Sequence, residues 1–260
     1  MISMRRKRHA GQPSGNPDLA GRFEFKYRIS YFEYLRLRAA IVPHMSADPY
    51  ARQAPGGRYF VRSLYFDTLN RRVYDEKLAG DTDRVKYRLR AYHPDPDQAS
   101  VVKVELKVRR GESLAKYATG VPVEQARAFL RERNWAVPDN PVLVEFDRNL
   151  HSKGLVPTVL IDYLREGYES RYRDGIRLTF DHQVQSTHAT ELFPSRTPFF
   201  RIHHPHEVVL EIKCRDYSPR WLAALVQAHG LRLVANSKYT QAVEAARHDQ
   251  AHVDGIVIVR

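Results

Sequence analysis

Strict alternation of apolar and charged residues recurs in five stretches of this sequence, and no other feature limits the fold as tightly. In "RFEFKYRIS" (22–30), Phe23, Phe25, Tyr27 and Ile29 fall on one side and Glu24, Lys26 and Arg28 on the other. "RVKYRLRAY" (84–92) puts Lys86, Arg88 and Arg90 in phase. "SVVKVELKVRR" (100–110) aligns Lys103, Glu105, Lys107 and Arg109 opposite Val102, Val104, Leu106 and Val108. "GIRLTFDHQV" (175–184) aligns Arg177, Thr179 and Asp181, and "HEVVLEIKCRDY" (206–217) aligns Glu211, Lys213 and Arg215. A period of two is that of a β-strand, whose side chains at i and i+2 share a face about 7 Å apart. Two unit charges at that spacing repel by about 0.6 kcal/mol in water and about 2.4 kcal/mol at an effective dielectric near 20. An open, wet face tolerates such a stack. An enclosed one needs an anion to offset it.

Taken together, the charged sides carry eleven cations against four carboxylates. A solvated sheet face usually mixes Thr, Ser, Glu and Lys and pairs opposite charges across strands. Here the excess is one-sided and rich in arginine. The alternative is an inverted barrel, with apolar sides facing outward to covering helices and charged sides lining a tunnel. Arginine forks match phosphate oxygens, so a lumen of this kind suits a chain of phosphates. The few carboxylates are then candidate ligands for Mg2+ or Mn2+, which bridge phosphate and protein oxygens.

The rest of the chain agrees with an anionic partner. Its 260 residues carry a net charge of +12, which favours nucleic acid, anionic lipid, nucleotide or polyphosphate. The single cysteine, Cys214, excludes an intrachain disulfide and a multi-cysteine zinc site. It fits a reducing compartment, and a cytoplasmic location is expected. It falls on the apolar side of its strand, as a buried thiol rather than a nucleophile. No run of 18 apolar residues spans a membrane. "MISMRRKRHAGQPSGNPD" starts basic, but no apolar stretch follows, so it reads as a disordered leader.

Helices are expected between the strands. Ser30, with Glu33 three residues on, caps one that Pro43 ends. Others are expected over 122–133 and 141–151, after a cap at Ser218, and at the C-terminal end with Ser237 as cap. "RYFVRSLYFD" (58–67) and "PTVLIDYLREGYE" add strands, and "GIVIV" near the end could form an edge strand. No linker separates two domains. The expected fold is α+β: one antiparallel β-barrel tunnel of about eight strands, with a charged interior and helices packed outside.

At this point the residues resemble a family. "FEFKY", "RSLYFDT", "KYRLRAY", "VELKVRR", "IDYLRE", "IRLTFD", "VVLEIK" and "NSKYTQAV" follow, in order, the motifs of the VTC (vacuolar transporter chaperone) polyphosphate polymerase domain. That domain belongs to the triphosphate tunnel metalloenzyme (CYTH-like) superfamily. The resemblance covers about residues 22–246 and implies a tunnel domain over 22–248, between a leader (1–21) and a C-terminal tail (249–260). It also implies transfer of the γ-phosphate of ATP to a polyphosphate end, with Mn2+ or Mg2+ as cofactor. By motif, Lys26, Arg88, Arg90, Lys107, Arg165, Arg177 and Lys238 would act on the phosphates. Arg109, Tyr163, Lys213 and Ser237 would bind substrate, and Glu211 would hold the metal. Ser237 and Lys238 also have independent physics, since a helix N-terminus offers free N–H groups to phosphate.

Departures from the family pattern matter. Superfamily hydrolases carry E-x-E-x-K on the first strand, and here Arg22 stands at the first glutamate position. This disfavours a triphosphatase and fits the polymerase branch. The resemblance does not extend to the phosphate-sensing domain or membrane segments of the eukaryotic polymerase, so export of product is expected to need a membrane partner. A non-catalytic polyanion binder is a third possibility. Nucleic acid is disfavoured, because no reader motif is present and the tyrosines are expected mostly on the barrel exterior and in helix packing. "HHPH" (203–206) is expected to be a loop rather than a metal site. No P-loop, G-x-G-x-x-G or G-x-S-x-G is present.

Overall fold

The computed structural model describes residues 22–246 except 112, 137–138 and 216–218. Ser218, the terminal "GIVIV" and the leader lie outside the described residues. The strands are β1 (Arg22–Ser30), β2 (Met45–Ala47), β3 (Tyr59–Asp67), β4 (Arg84–Ala91), β5 (Val102–Arg110), β6 (Ser113–Val121), β7 (Val156–Ser170), β8 (Arg177–His188), β9 (Arg201–Ile202) and β10 (Glu207–Arg215). The helices are α1 (Tyr31–Ile41), α2 (Pro49–Gln53), α3 (Arg72–Leu78), α4 (Val123–Glu132), α5 (Pro141–Lys153), α6 (Arg220–Ala228) and α7 (238–246).

All strand pairs are antiparallel, in the order β1-β10-β8-β7-β3-β4-β5-β6, with β2 on β7 and β9 on β8. The sheet curls into a tunnel but does not close: no ladder joins β1 to β6 among the described residues. The outer edge of β1 is taken by the segment before α7, where Tyr27 bridges Leu233 and the Val234 N–H donates to the Lys26 carbonyl at 2.9 Å. That contact uses backbone groups a sixth-strand neighbour would need.

The outward faces are apolar, as the alternation requires. Over β3–β5 and β7, Leu64, Phe66, Leu89, Val104, Leu106 and Leu160 pack under Phe129 of α4 and Phe146 and Leu150 of α5. Trp135 stacks on Phe129 at 3.9 Å between centroids. Over β1, β10 and β8, Ile29, Leu210, Ile212, Leu178 and Phe180 pack under α1 and α6, and Cys214 is buried there as a free thiol. Fully burying one such side chain is worth about 1.5–3 kcal/mol.

A third core lies on the inner face, which the expectation of a wholly charged lumen did not include. Val61, Tyr65, Ile161, Tyr163 and Val209 pack against Val73 and Tyr74 of α3 and Tyr239, Ala242 and Val243 of α7. Asp67 ties this plug together. Its carboxylate accepts from the Val73 and Tyr74 N–H groups at 2.8 and 3.1 Å and from the Tyr239 hydroxyl. The tyrosines therefore divide: Tyr27, Tyr34 and Tyr87 serve the outer cores, while Tyr65, Tyr163 and Tyr239 face inward. The expected placement on the barrel exterior and in helix packing covers the first group and Tyr239 of α7, Tyr163 faces inward as the family motif implied, and Tyr65 departs from the expectation.

Candidate functional site

Strand register gathers the charged side chains. Lys26 on β1 is opposite Glu211 on β10, which is opposite Thr179 on β8. Asp181 is opposite Arg165 on β7. On the other wall, Arg88 on β4 lies between Tyr65 of β3 and Glu105 of β5, and Lys86 is opposite Lys107. Because the side-chain period is two, each register fixes a whole row on the inner face.

At the centre of the β1–β10 wall, Lys26 Nζ lies 2.8 Å from Glu24 and 4.0 Å from Glu211. Lys213 Nζ lies 2.9 Å from Glu211. Lys107 Nζ reaches from β5 across the unpaired seam to Glu24 at 2.8 Å, so ions close what the backbone leaves open. Burial and the charge of Glu211 push the Glu24 carboxyl upward, but Lys26, Lys107 and Lys213 bring it down to about 2. Burial likewise opposes ionisation of Glu211, and Lys213, Lys26, Lys238 and Arg165 hold it well below the usual carboxylate range.

The β4–β5 wall is built differently. Glu105, 2 % exposed, takes Arg88 Nε at 2.5 Å, Arg90 Nε at 3.9 Å and the Lys116 ammonium. Arg88 also donates to the Tyr65 hydroxyl at 2.8 Å, and Arg90 to Ser63 Oγ at 3.2 Å. Opposite, Asp181 is fully buried and accepts a bidentate pair from Arg165 at 2.6 and 2.9 Å, with Lys238 Nζ at 2.5 Å. Arg165 and Lys238 lie over the Tyr163 ring, at 5.2 and 4.9 Å from its centroid.

Lys86 sits where this charge is least compensated. Its ammonium donates to Ser237 Oγ, the cap of α7, at 2.8 Å. Burial, then repulsion from Lys26, Lys107, Arg84 and Lys77, lowers it to about 7. A lysine so depressed has little to hold its proton until an anion arrives.

Arg177 and Arg109 lie apart from the central group. Half-exposed at one mouth, Arg177 has Asp48 and Glu169 at 3.5 Å each. There Asp48 crosses so close to β7 that a Cβ on Gly167 would sit 2.1 Å from its Oδ2. Beside it Tyr50, Tyr59 and Tyr92 pack together, with centroids 5.5–6.2 Å apart. Arg109 turns onto its own hairpin, donating to the Gly111 carbonyl at 2.9 Å. Of the twelve expected site residues, Lys26, Arg88, Arg90, Lys107, Tyr163, Arg165, Glu211, Lys213, Ser237 and Lys238 line the inner face in linked contacts.

Glu24, Lys86, Glu105 and Asp181, which the alternation put in phase but the family motifs gave no role, belong to the same network, as does Lys116, which was not named. Glu24 and Lys86 were in phase with named residues, which was signal enough. The pairing of Glu105 with Lys116 needed β6, which the alternation did not reveal. Carboxylates split by partner: Glu105 and Asp181 are held by arginines, whereas Glu24 and Glu211 are ion-paired only with lysines and are the candidate metal ligands. No group of three metal-ligating side chains occurs among the described residues. Two carboxylates fit a hard divalent ion that takes its other oxygens from substrate phosphates.

A curled antiparallel sheet, helices on its apolar outside and a lumen of arginine and lysine define a basic-tunnel protein. The family model of the VTC domain matches residues 21–247, and the chain belongs to that family. Among solved structures, it is similar to a proposed adenylate cyclase from Bacillus halodurans, with 13% identity and a TM-score of 0.51, covering 84% of this chain and 95% of that one. That likeness shows the fold. A proposed adenylyl cyclase from Hippeastrum, described as having a dominant triphosphatase activity, matches at 15% identity and a TM-score of 0.48, over 86% and 95% of the two chains. No curated protein matches the sequence.

Proposed function

We propose that this chain is a polyphosphate polymerase, transferring the γ-phosphoryl group of ATP to the end of a polyphosphate chain. The observation that carries the proposal is the Glu24–Lys26–Glu211 centre, whose carboxylates are ion-paired with lysines only, in a lumen where two other buried carboxylates, Glu105 and Asp181, are held by arginines. Binding alone needs no pair of ionised carboxylates there, and a metal-assisted transfer does. In the reaction the bond from the γ-phosphorus to the β,γ-bridging oxygen breaks. A new bond forms to a terminal oxygen of the acceptor, and ADP leaves. The acceptor oxygen is already ionised, so no strong general base is required. Phosphoryl transfer depends mainly on charge neutralisation and in-line positioning. Arg88, Arg90 and Lys107 would hold one part of the phosphate chain, and Lys26, Arg165, Lys213 and Lys238 the other. Tyr163 would steer Arg165 and Lys238, and Ser237 would present the start of α7. Arg177 and Arg109 would guide chains at the mouths. Glu211 and Glu24 would hold Mg2+ or Mn2+, which would supply neutralisation of the phosphate charge.

A triphosphatase is the second reading, and one observation favours it. Glu24 and Glu211 come together from different strands, supplying a carboxylate pair even though Arg22 occupies the first-strand position. Incubation with ATP and Mn2+ separates the two when product is run on a polyphosphate-stained gel and free phosphate is measured alongside. Long chains with little free phosphate support the polymerase. Rapid phosphate release from tripolyphosphate without chain growth overturns it. No helix among the described residues is long and apolar enough to cross a membrane.

A further inference from the structure

α1 carries apolar residues on two sides, where a surface helix ordinarily carries them on one. Tyr34, Leu37 and Ile41 are its buried side and pack into the core over β1, β10 and β8. At about 100° per residue, Tyr31, Val42, Leu35, Ala39 and Phe32 form a second stripe turned away from that core. All five are exposed, the large side chains from 47% for Leu35 to 71% for Phe32. An exposed apolar stripe rimmed by charge marks a contact surface.

The rim is arginine. Arg36 follows the stripe on one side and Arg38 on the other, both half-exposed. The carboxylates nearby are turned inward or paired. Glu166 is buried beneath Arg38 and Arg58, at 2.6 and 3.5 Å. Glu33 is shared by Arg36, at 3.3 Å, and the His229 ring. Past the end of the helix, His44 Nδ1 and the Tyr172 hydroxyl are 2.9 Å apart, which seats Tyr172 in the turn after β7 between the exposed Arg171 and Arg173. Asp174 in that turn accepts from the Ile176 N–H at 3.1 Å. The stripe therefore has a tyrosine at each end and guanidinium groups around it. A second copy of the chain does not complement it, because a two-fold contact sets one arginine rim against another while the nearby carboxylates are already engaged. Aromatic ends, an apolar centre and a basic rim are instead the features of a helix lying in a lipid interface.

We propose that α1 docks the protein on an anionic bilayer surface. Phe32, Leu35 and Val42 enter the boundary between headgroups and acyl chains, and Tyr31 and Tyr172 sit at headgroup level. Arg36, Arg38, Arg171 and Arg173 pair with lipid phosphates, whose oxygens match arginine forks. The attachment is peripheral, since the other side of α1 stays packed on the sheet. It uses surface outside the tunnel and does not depend on which reaction the tunnel carries out.

Sedimentation of the full chain with vesicles tests it, with tripolyphosphate present to occupy the tunnel cations. One set of vesicles is phosphatidylcholine alone, and the other contains about one third phosphatidylserine. The wild type should bind the second set about tenfold more tightly than the first, or better. Phe32→Ser combined with Leu35→Ser should weaken that binding by about tenfold or more, with the melting temperature unchanged because both positions are exposed. Phe32→Trp should still bind, and its added fluorescence should move to shorter wavelength only with the anionic vesicles. No sedimentation of the wild type, equal binding to both sets, or unchanged binding of the double variant overturns the proposal; the last outcome assigns the attraction to basic charge elsewhere on the chain. If the double variant loses melting temperature, Phe32→Trp decides, and a fluorescence that does not move overturns the docking. A wild type that is dimeric without vesicles, beside a monomeric double variant, makes the stripe a self-contact and overturns it too.

Discussion

Glu105 and Glu211 are both buried on the inner face of one sheet, yet their neighbours differ in kind. Glu105 is held by Arg88, Arg90 and Lys116. Its carboxyl is driven far down, against the cost of burial, chiefly by the two arginines. Glu211 has lysines for company, with Lys213 at 2.9 Å and Lys26 at 4.0 Å, and a second carboxylate, Glu24, shares Lys26. Arginine forks grip a carboxylate in fixed geometry, whereas a lysine is a point charge on a flexible stem. On the proposed function, the difference would separate a wall that organises guanidinium groups for phosphate from a centre whose carboxylates would exchange lysine for metal.

The largest effect should come from the locked wall. Glu105→Gln leaves Arg88, Arg90 and Lys116 without their shared counterion. Removing one partner of a buried charged set costs about 3 kcal/mol or more. The expected outcome is a melting temperature lower by roughly 6–12 °C for a domain of this size, largely restored by added polyphosphate, which supplies the missing charge. An unchanged melting temperature would mean that Glu105 is not the organising counterion. On the other wall, Glu211→Gln should cost little stability, because Glu24 still holds Lys26. It should instead lower metal-dependent turnover about a hundredfold, a typical loss for one electrostatic group in an active site. Polyphosphate affinity should hold or rise, as one negative charge is gone. Equal losses of turnover and binding would merge the two walls into one role.

The two walls were not equally legible in the sequence. Alternation in "FEFKY" and "LEIK" put Glu24, Lys26, Glu211 and Lys213 on one side of their strands, and register then joined them. The Glu105 cluster needed Lys116 on β6. In "SLAKYATGV" the apolar side is diluted by Ala115 and Thr119 and the other by Ala118 and Gly120, so the period of two fades. Gly120 is small for a reason: a Cβ there would sit 2.9 Å from Val101 Cγ1 and 3.2 Å from Lys103 Nζ. α3 was also missed, because its cap is not local. Asp67 reaches N–H groups six and seven residues ahead, past Arg71 in a left-handed conformation at φ 57°. The plug of the lumen by α7 was hidden for the same reason, since it depends on contacts far apart in sequence. What alternation could reveal was which side of each strand carries charge; it could not reveal which charges meet across the tunnel.

Lys86 joins the two walls and gives the comparison a pH axis. Its folded pKa of about 7 lies below the ordinary lysine value of 10.5. Between those values the unfolded chain binds more protons than the folded one. This group therefore makes the ligand-free protein more stable as pH rises from about 7 towards 10.5. Polyanion binding acts in the opposite sense, because phosphate restores the charge and takes up a proton. At pH 8, calorimetry in buffers of different ionisation enthalpy should show uptake of about one proton per tripolyphosphate. Affinity should fall by up to about tenfold per pH unit above pH 7, and Lys86→Arg should flatten that dependence. Pure release of protons on binding would sink this role for Lys86.

The smallest effect belongs to Arg177, and it asks whether the mouth works as the walls do. The sequence motif placed it with the tunnel cations, and its strand face agrees. Its side chain, however, is 48% exposed and shares Asp48 and Glu169 at 3.5 Å, longer than a charge-assisted hydrogen bond. Exposed pairs of this kind contribute about 0–1 kcal/mol, so water already screens what Arg177 could offer a phosphate. Arg177→Ala should weaken long-chain polyphosphate about twofold to threefold, with the loss fading at high salt, and should leave tripolyphosphate binding unchanged. A short ligand seated between Lys86 and Arg165 does not need the mouth, whereas a long one must pass it. Binding measured as a function of chain length in wild type and variant decides the matter. A loss of tenfold or more for tripolyphosphate would move Arg177 from the mouth into the transfer centre, with Asp48 as its switchable partner.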